Sequence, residues 1–405
     1  MRRSALLVVC LAVFVDMLGF GIILPMLPFH AERLGGSGAW VGALLTAYAA
    51  AQFLAAPVLG SLSDRYGRRR LLLLSLSGSM VSLALSGLAG SLVLLLLARV
   101  LAGAFGGAIA VGQAYVVDLT PEQDRTRALG MVGASIGLGF VFGPAIGAGL
   151  ATAGIGFAGA CGVAAVVAAV NLVLGFRLLP RTTPAGAPTD NASVRSWSTR
   201  LATLGSALHR RQLRPVLIAL FAVTFAFTGM ETTFALLGSD RYGIGAAGLG
   251  VVFTGVGVVM VIVQGVLVGR FTDRWGDARV AVGGAAAMAL GLGLLPFVPV
   301  WLGYPALGLV AVGQGLLVTT TAALIAAVGG RALGGALGVG QSAAAAARAV
   351  GPIVAGVGYD LSHALPYLGG AALSLVAAAL LSALVIPTGA PVGSGLGHGS
   401  DPSAG

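Results

Sequence analysis

The chain has 405 residues, of which 57% are hydrophobic and 9% are charged. An average soluble domain carries about 25% charged residues, so this composition excludes an ordinary soluble protein. The net charge of +10 at pH 7 comes from arginine, because the sequence contains no lysine. A basic excess can indicate nucleic-acid binding, but here the arginines fall in short clusters between apolar runs. That placement is typical of loops that orient membrane helices, and it predicts a multi-pass membrane protein that binds no nucleic acid.

Twelve apolar runs follow one another along the chain, each about long enough to cross a bilayer core roughly 30 Å thick, which needs about 20 residues. They cover approximately residues 5–28, 40–62, 71–89, 92–117, 127–151, 156–178, 215–237, 246–269, 279–299, 302–327, 333–357 and 365–386. The longest polar interruption divides them six and six. We therefore predict an all-α integral membrane fold in which twelve transmembrane helices form two pseudo-symmetric six-helix bundles.

Four segments follow from that division. The first six-helix bundle comprises residues 1–179, and the second comprises residues 215–387. Between them, residues 180–214 are rich in Pro, Thr, Ser and Arg, which predicts a cytoplasmic linker with little apolar surface to bury. Residues 388–405 are rich in Gly, Ser and Pro, which predicts a disordered cytoplasmic tail.

The two cysteines and the first run limit the chemistry further. Cys10 and Cys161 both lie in apolar runs, which predicts neither a disulfide framework nor a thiolate metal site. Arg2 and Arg3 before an apolar stretch resemble a signal peptide, but the run continues past Asp16 without a small-residue cleavage site. It therefore favours a first transmembrane helix, and we expect no metal and no organic cofactor.

Arginine placement predicts which ends of the helices face the cytoplasm. Of the 23 basic residues, two lie inside predicted helices and two, Arg33 and Arg241, lie in loops on one side. The remaining nineteen lie on the side that holds both termini. Because cytoplasmic segments are enriched in arginine, we expect both termini in the cytoplasm and the chain in the cytoplasmic membrane.

Two motifs each occur twice, and nearly the same number of residues separates the two copies in each case. The pattern Gly-x-x-x-Asp-Arg-x-Gly occurs at Gly60–Gly67 and again 209 residues later at Gly269–Gly276. The segment Ala128-Leu129-Gly130 with Gly143-Pro144 recurs 208 residues later. Such a duplication is the sequence expectation for a transporter whose binding site lies at the midplane between two repeated halves.

Four charged residues lie well inside predicted helices, two in each half: Asp16, Arg99, Glu231 and Arg348. A charge that faces lipid costs about 2.5–3.5 kcal/mol, so these side chains are expected to face the protein interior or a water-filled cavity. One interpretation is that they pair only to hold helices together. The other is that Asp16 or Glu231 carries a proton, because a carboxylate that is alternately wetted and dried changes its proton affinity.

Polar and aromatic side chains in the runs are candidates for a substrate cavity between the halves. Interhelical hydrogen bonding or packing is an alternative role for each of them. The candidates are Phe20, Gln52, Gln113, Asn171, Phe227, Phe234, Gln264, Gln314 and Gln341.

The duplicated loop and the fifth helix carry the remaining candidates. Asp64 and Arg68 are expected to form a charge network with Asp118 and Arg127 that holds one transport state closed, while Gly60 allows a close helix approach and Gly67 a positive φ. The predicted cytoplasmic gate comprises Gly60, Asp64, Arg65, Gly67, Arg68, Asp118, Arg127, Asp273 and Arg274; the fifth-helix motif comprises Gly133, Gly137, Gly143, Pro144 and Gly147.

These motifs together resemble a family over nearly the whole chain. The loop Gly60–Arg70 resembles the signature loop of the major facilitator superfamily, and Arg99–Gly103 its fourth-helix motif, whose Arg is implicated in proton coupling. The Gly133–Gly147 segment resembles the fifth-helix motif of its antiporters, and Asp16–Gly21 the first helix of its tetracycline-type pumps. Additional acids of those pumps, in the third and ninth helices, are approximately Ser82 and Met288 here.

The resemblance implies a monomeric twelve-helix exporter of the drug:proton antiporter type. It would exchange inward protons for an outward small amphipathic drug or toxic metabolite, with the proton gradient as its energy source and the lipid bilayer as its surroundings. An efflux carrier for an endogenous sugar, amino acid or secreted natural product is the alternative within transport. A non-transporting receptor or an enzyme is the alternative of another class, and we expect no enzymatic activity.

Overall fold

The computed structural model describes residues 2–120, 125–179, 213–329 and 333–384. The predicted linker, apart from residues 213 and 214, and the predicted tail therefore lie outside the described residues. Two predicted gate side chains, those of Asp64 and Arg127, are also outside the described set, although the backbone at both positions is helical.

Eight helices lie within the described residues of the first half of the chain. They are α1 (Arg2–Ile23), α2 (Leu27–Arg33), α3 (Gly38–Tyr66), α4 (Arg68–Gly87), α5 (Leu92–Phe105), α6 (Ala108–Leu119), α7 (Arg125–Thr152) and α8 (Phe157–Leu178). The short α2 belongs to the loop after α1, and α5 with α6 makes one crossing. This half therefore crosses six times.

The second half also crosses six times. Its helices are α9 (Leu213–Tyr242), α10 (Ala246–Ile262), α11 (Val268–Trp275), α12 (Asp277–Leu294), α13 (Val300–Gly329), α14 (Leu333–Leu361) and α15 (Leu365–Ser382). A π-helical segment, Val263–Leu267, joins α10 to α11 in one crossing. Ten crossings in the described ranges are long and apolar enough to span a membrane; the other two are α5 with α6 and the alanine- and glycine-rich α14. The all-α fold of two six-helix halves is confirmed.

The fourth crossing differs from the prediction of one continuous helix over residues 92–117. It breaks after Phe105, where Gly106 and Gly107 separate α5 from α6. The Gly106 carbonyl oxygen accepts a hydrogen bond of 2.9 Å from the Gln52 side-chain amide of α3. Glycine lowers helix propensity, and the Gln52 amide supplies a partner for a carbonyl that the break leaves outside the helix ladder.

The duplicated loop has the same backbone conformation in both halves. Gly67 between α3 and α4 has φ +94°, and Gly276 between α11 and α12 has φ +78°. A side chain at either position would be strained, because L-residues rarely adopt positive φ. The predicted turn at Gly67 is therefore present. The predicted close approach at Gly60 is wrong for this conformation, since a Cβ added there would meet open space.

The most extensive contacts between the halves are those of α3 with α14 and of α7 with α10. A Cβ added at Gly42 of α3 would overlap the carbonyl oxygen of Pro352 in α14. In the other pair, a Cβ added at Gly250 of α10 would lie 2.7 Å from the carbonyl oxygen of Pro144 in α7. Both Gly-Pro segments of the repeat therefore face the opposite half.

Each Gly-Pro segment also packs against the first helix of its own half. A Cβ at Gly143 would lie 2.6 Å from Gly21 Cα in α1, and one at Gly147 would lie 2.5 Å from the Ile22 carbonyl oxygen. In the second half, a Cβ at Gly351 would lie 2.8 Å from Thr228 Oγ1 in α9. These glycines let backbones approach closely, as small residues do in membrane helix interfaces.

Among the described residues, the tight contacts between the halves lie toward one face of the membrane. We call that face the Asp360 end, because α3 begins and α14 ends there, and the opposite face the Arg68 end. Glycines of the contacting helices near the Arg68 end would meet nothing within 4 Å if given a Cβ, as at Gly60, Gly133, Gly265 and Gly338. As far as the described residues show, the space between the halves is thus closed toward the Asp360 end and open toward the Arg68 end.

Candidate functional site

Asp16 lies in the middle of α1 and is held by a hydroxyl from α4. The Ser79 hydroxyl donates a hydrogen bond of 2.8 Å to Asp16 Oδ1. The Asp16 side chain is half-buried, so it is neither fully buried in the core nor fully exposed. A carboxylate in this position retains a polar partner at a depth where an unpartnered charge would be costly.

A row of serines on one face of α4 connects the regions of Asp16 and Arg99; we call Ser79, Ser82 and Ser86 the serine row. Ser82 Oγ donates to the Ser79 carbonyl oxygen at 2.8 Å, and Ser86 Oγ donates to the Ser82 carbonyl oxygen at 2.7 Å. At its far end, Arg99 Nη2 donates to Ser86 Oγ at 2.7 Å. Arg99 is only 3% exposed, so the row places a buried guanidinium and a half-buried carboxylate on the same helix face.

Tyr48 of α3 stands among the charges from both halves. It lies within Coulombic range of Asp16, Arg99 and Arg348. Its ring packs against Phe20 of α1 with centroids 5.1 Å apart, and its hydroxyl accepts a hydrogen bond of 3.3 Å from Gln52. The aromatic pair therefore forms a wall beside the intramembrane charges.

Glu231 of α9 and Arg348 of α14 form the charged pair of the second half. They lie within Coulombic range of each other. Glu231 is half-buried and Arg348 is exposed although it lies mid-helix. Since Arg348 also interacts with Tyr48 of the first half, its exposure reflects the open space between the halves. Glu231 and Arg348 thus interact directly, and Tyr48 lies near Asp16, Arg99 and Arg348.

The predicted cavity residues separate into two groups. Asn171 is buried and donates a hydrogen bond of 3.1 Å to the Ala12 carbonyl oxygen. Phe234 is buried in the core, 6.2 Å from the Phe253 ring centroid, and Gln314 is buried. Their placement favours packing and interhelical hydrogen bonding. Phe20, Gln52 and Phe227 are half-buried, and Gln113, Gln264 and Gln341 are exposed.

The described part of the predicted gate contains one ion pair. Arg68 Nε donates to Asp118 Oδ2 at 2.9 Å, and Arg68 Nη1 donates to Ser63 Oγ at 2.5 Å. This pair joins α4 to α6, so in this conformation it lies within the first half and not between the halves, because the halves are apart at the Arg68 end. In the second copy, Arg274 lies over the Trp275 ring at 5.9 Å, and Asp273 is exposed.

Comparisons with known proteins agree with this architecture. A family model described as Major Facilitator Superfamily matches residues 9–267 and 239–401. The chain belongs to the Major Facilitator Superfamily. It is therefore a transporter of that superfamily rather than an enzyme, and a multi-pass membrane protein.

The similar proteins include drug-resistance proteins and structurally characterised transporters. The tetracycline resistance protein, class C, of Escherichia coli is 32% identical over 328 residues, which cover 77% of this chain and 78% of that protein. Multidrug resistance protein 1 of Bacillus subtilis (strain 168) is 27% identical over 375 residues, which cover 90% and 92%. The crystal structure of the nucleoside transporter NupG has a TM-score of 0.76 at 14% identity, covering 94% of this chain and 98% of that one.

Three features of this superfamily transporter were absent from the candidates chosen on sequence. They are the hydrogen bond that the Ser79 hydroxyl donates to Asp16, the one that Arg99 donates to the Ser86 hydroxyl, and the contact of Asp360 with the first amides of α3. The serine row could be predicted from the sequence, because residues spaced three and four apart lie on one face of a helix. The Asp360 contact has no such signal, since its partners are backbone amides more than 300 residues away.

Proposed function

We propose that this superfamily transporter is a proton-coupled exporter, which exchanges inward protons for an outward small amphipathic drug or toxic metabolite by alternating access. The observation that carries the proposal is the pair of half-buried intramembrane acids, Asp16 and Glu231, one in each half beside the same space. Relatives named for tetracycline and multidrug resistance support an exported drug-like solute.

Coupling follows from the position of the two acids. Each binds a proton when the space is open to the proton-rich side and releases it when the halves rock toward the other side. Arg348 near Glu231 and the Ser79 hydroxyl on Asp16 favour the ionised carboxylates that a cationic or hydrogen-bonding solute needs. An inward proton supplies about 2.3 kcal/mol per 100 mV of membrane potential and about 1.4 kcal/mol per pH unit.

The proposed orientation places the Arg68 end and both termini in the cytoplasm, since that end carries most of the arginines. The present conformation would then be open to the cytoplasm and closed to the outside, ready to receive a solute for export. In this orientation, Arg68 with Asp118, and the adjacent gate residues Gly60, Asp64, Arg65, Gly67, Arg127, Asp273 and Arg274, would act when the cytoplasmic end closes.

Tetracycline with its chelated metal is not the substrate that we propose. Ser82 and Met288 are buried and lie approximately where the tetracycline-type pumps carry further acids. The described residues contain no group of three His, Cys, Asp or Glu side chains that could hold a metal ion. An organic amphipath that contacts Phe20 and Tyr48 fits this half-buried aromatic wall better.

Everted membrane vesicles test the proposal. With an acidic interior, vesicles that contain the wild-type chain should accumulate a fluorescent amphipathic cation, and collapse of the pH gradient should release it. Asp16→Asn and Glu231→Gln should abolish gradient-driven accumulation. The matched control is Asp277→Asn, which removes an acid from the first turn of α12. Accumulation that persists in both intramembrane variants would overturn the assignment of the acids.

A further inference from the structure

The carboxylate of Asp360 caps a helix of the opposite half. Asp360 lies at the C-terminal end of α14, and its Oδ1 and Oδ2 accept hydrogen bonds from the backbone amides of Gly38 and Ala39, each 2.8 Å long. Gly38 and Ala39 are the first two residues of α3. One side chain of the second half therefore satisfies two amides of the first half.

Within the described residues of the first half, no side chain caps these two amides. The first four N–H groups of a helix lack intrahelical partners, and a side chain at the N-cap position normally accepts from one of them. Ser37 occupies that position, but its side chain makes no capping hydrogen bond. Asp360 supplies the acceptors and places its negative charge at the positive end of the α3 dipole.

Asp360 does not stabilise its own helix, α14. An acid in the last turn of a helix lies at the negative end of the dipole, where a negative charge is unfavourable. Asp360 lies in the last turn of α14, in this unfavourable position, and the amides of α3 are its compensating partners. The stabilisation therefore depends on contact between the halves.

The surrounding contacts show that the cap belongs to a close interface. A Cβ at Gly38 would lie 2.9 Å from the Gly356 carbonyl oxygen. About two turns deeper than the cap, the Ile353 amide donates a hydrogen bond of 3.1 Å to Thr46 Oγ1. Backbone-to-backbone packing and hydrogen bonds thus continue from the cap into the membrane along α3 and α14.

We propose that Asp360 is an interhalf cap that stabilises closure of the Asp360 end and is released each time that end opens. The inference rests on the alternating access of the proposed function. When the halves separate there, two amides of α3 lose their acceptors and Asp360 is left at the unfavourable end of α14. Because opening removes these two hydrogen bonds, the contact favours the closed conformation, whatever solute is carried.

Distance measurements between spin labels test the cap without substrate or proton gradient. The labels are attached to cysteines at Leu88 in the first half and Trp301 in the second, which are 77% and 68% exposed near the Asp360 end. The buried Cys10 and Cys161 are first replaced by alanine. Asp360→Ala should raise the ratio of long to short distances about tenfold, the effect of losing a good helix cap, and Asp360→Asn should raise it less.

A double variant separates an interhalf cap from simple support of α3. Ser37→Asp supplies an acceptor to the same helix end from within the first half. Combined with Asp360→Ala, it should restore thermal stability while the long distances persist. Return of the short distances in the double variant, or unchanged distances in Asp360→Ala, would overturn the proposal. Because this readout requires no transport, failure of the exporter assignment remains a separate result.

Discussion

Gly42 of α3 lies so close to Pro352 of α14 that a side chain at position 42 would overlap the Pro352 carbonyl oxygen. The equivalent contact in the other helix pair, Gly250 with Pro144, is nearly as close. Repeated Gly-Pro segments thus do more than pack within their own halves. They form the surfaces along which the two halves close.

Gly42→Ala should open the Asp360 end. The added methyl group meets backbone atoms, which cannot move aside as a flexible side chain can, and overpacking of this kind costs about 1–3 kcal/mol. The spin-label pair at Leu88 and Trp301 should therefore report longer distances. Gly60→Ala is the matched control on the same helix, because a Cβ there meets open space; equal shifts in both variants would contradict the packing argument.

Ser79→Ala should uncouple transport from the proton gradient. It removes the hydroxyl that donates to Asp16, and a hydrogen bond to a charged group contributes about 1.5–3 kcal/mol. Gradient-driven transport in vesicles should fall about tenfold, since about 1.4 kcal/mol corresponds to a factor of ten. Exchange of labelled for unlabelled solute, which needs no net proton movement, should change much less.

Two further variants decide whether the hydroxyl itself matters. Ser79→Thr keeps a donor and should retain most gradient-driven transport. Ser77→Ala removes a hydroxyl that bonds only the Leu73 carbonyl oxygen of the same helix, and it should behave as wild type. If Ser77→Ala and Ser79→Ala reduced transport equally, loss of helix stability would explain both.

Arg68 and Asp118 should contribute little free energy to folding. Their contact is 2.9 Å long, but the Asp118 side chain is 46% exposed, and exposed ion pairs contribute about 0–1 kcal/mol. A double-mutant cycle with Arg68→Ala and Asp118→Ala, followed by thermal unfolding, should give a coupling energy below about 1 kcal/mol. The distance between Leu88 and Trp301 should not change, because the pair lies within the first half.

Glu32→Gln should have the opposite effect to Asp360→Ala. Glu32 of the first half repels Asp240 of the second, and burial together with this repulsion raises the pKa of Glu32 above its ordinary value. Removing the negative charge should shift the spin-label distances toward the closed Asp360 end at neutral pH.

The pH dependence of that shift checks its cause. As the pH falls through the raised pKa of Glu32, the wild-type side chain becomes neutral and the repulsion disappears. The difference between wild type and Glu32→Gln should therefore vanish in acid, beginning above the pH at which an ordinary glutamate titrates. A difference that is constant from neutral to acidic pH would indicate a change in packing instead.

Much of the fold follows from patterns that the sequence displays directly. Apolar run length predicts the crossings, and the repeated glycines at positions 67 and 276 predict the two matched turns. The break at Gly106 was not predicted, because it depends on the side chain of Gln52, which reaches the break from another helix. Apolar character alone does not distinguish one long helix from two short ones.

The site was predicted less completely for a similar reason. Burial of charge in a membrane is costly at any residue, so Asp16, Arg99, Glu231 and Arg348 stand out in sequence. What each one contacts depends on helix rotation, which decides that Asn171 bonds a backbone carbonyl while Tyr48 faces the charges. The interhalf cap of Asp360 depends on the conformational state as well.

Proton flux driven by the solute alone is the sharpest test of proton-coupled exchange. In proteoliposomes with no initial pH gradient or membrane potential, an outward gradient of the transported amphipath should drive protons inward, and a trapped pH-sensitive dye should report acidification. Asp16→Asn and Glu231→Gln should abolish the signal. Solute movement through the wild-type protein without any proton flux would contradict proton-coupled exchange.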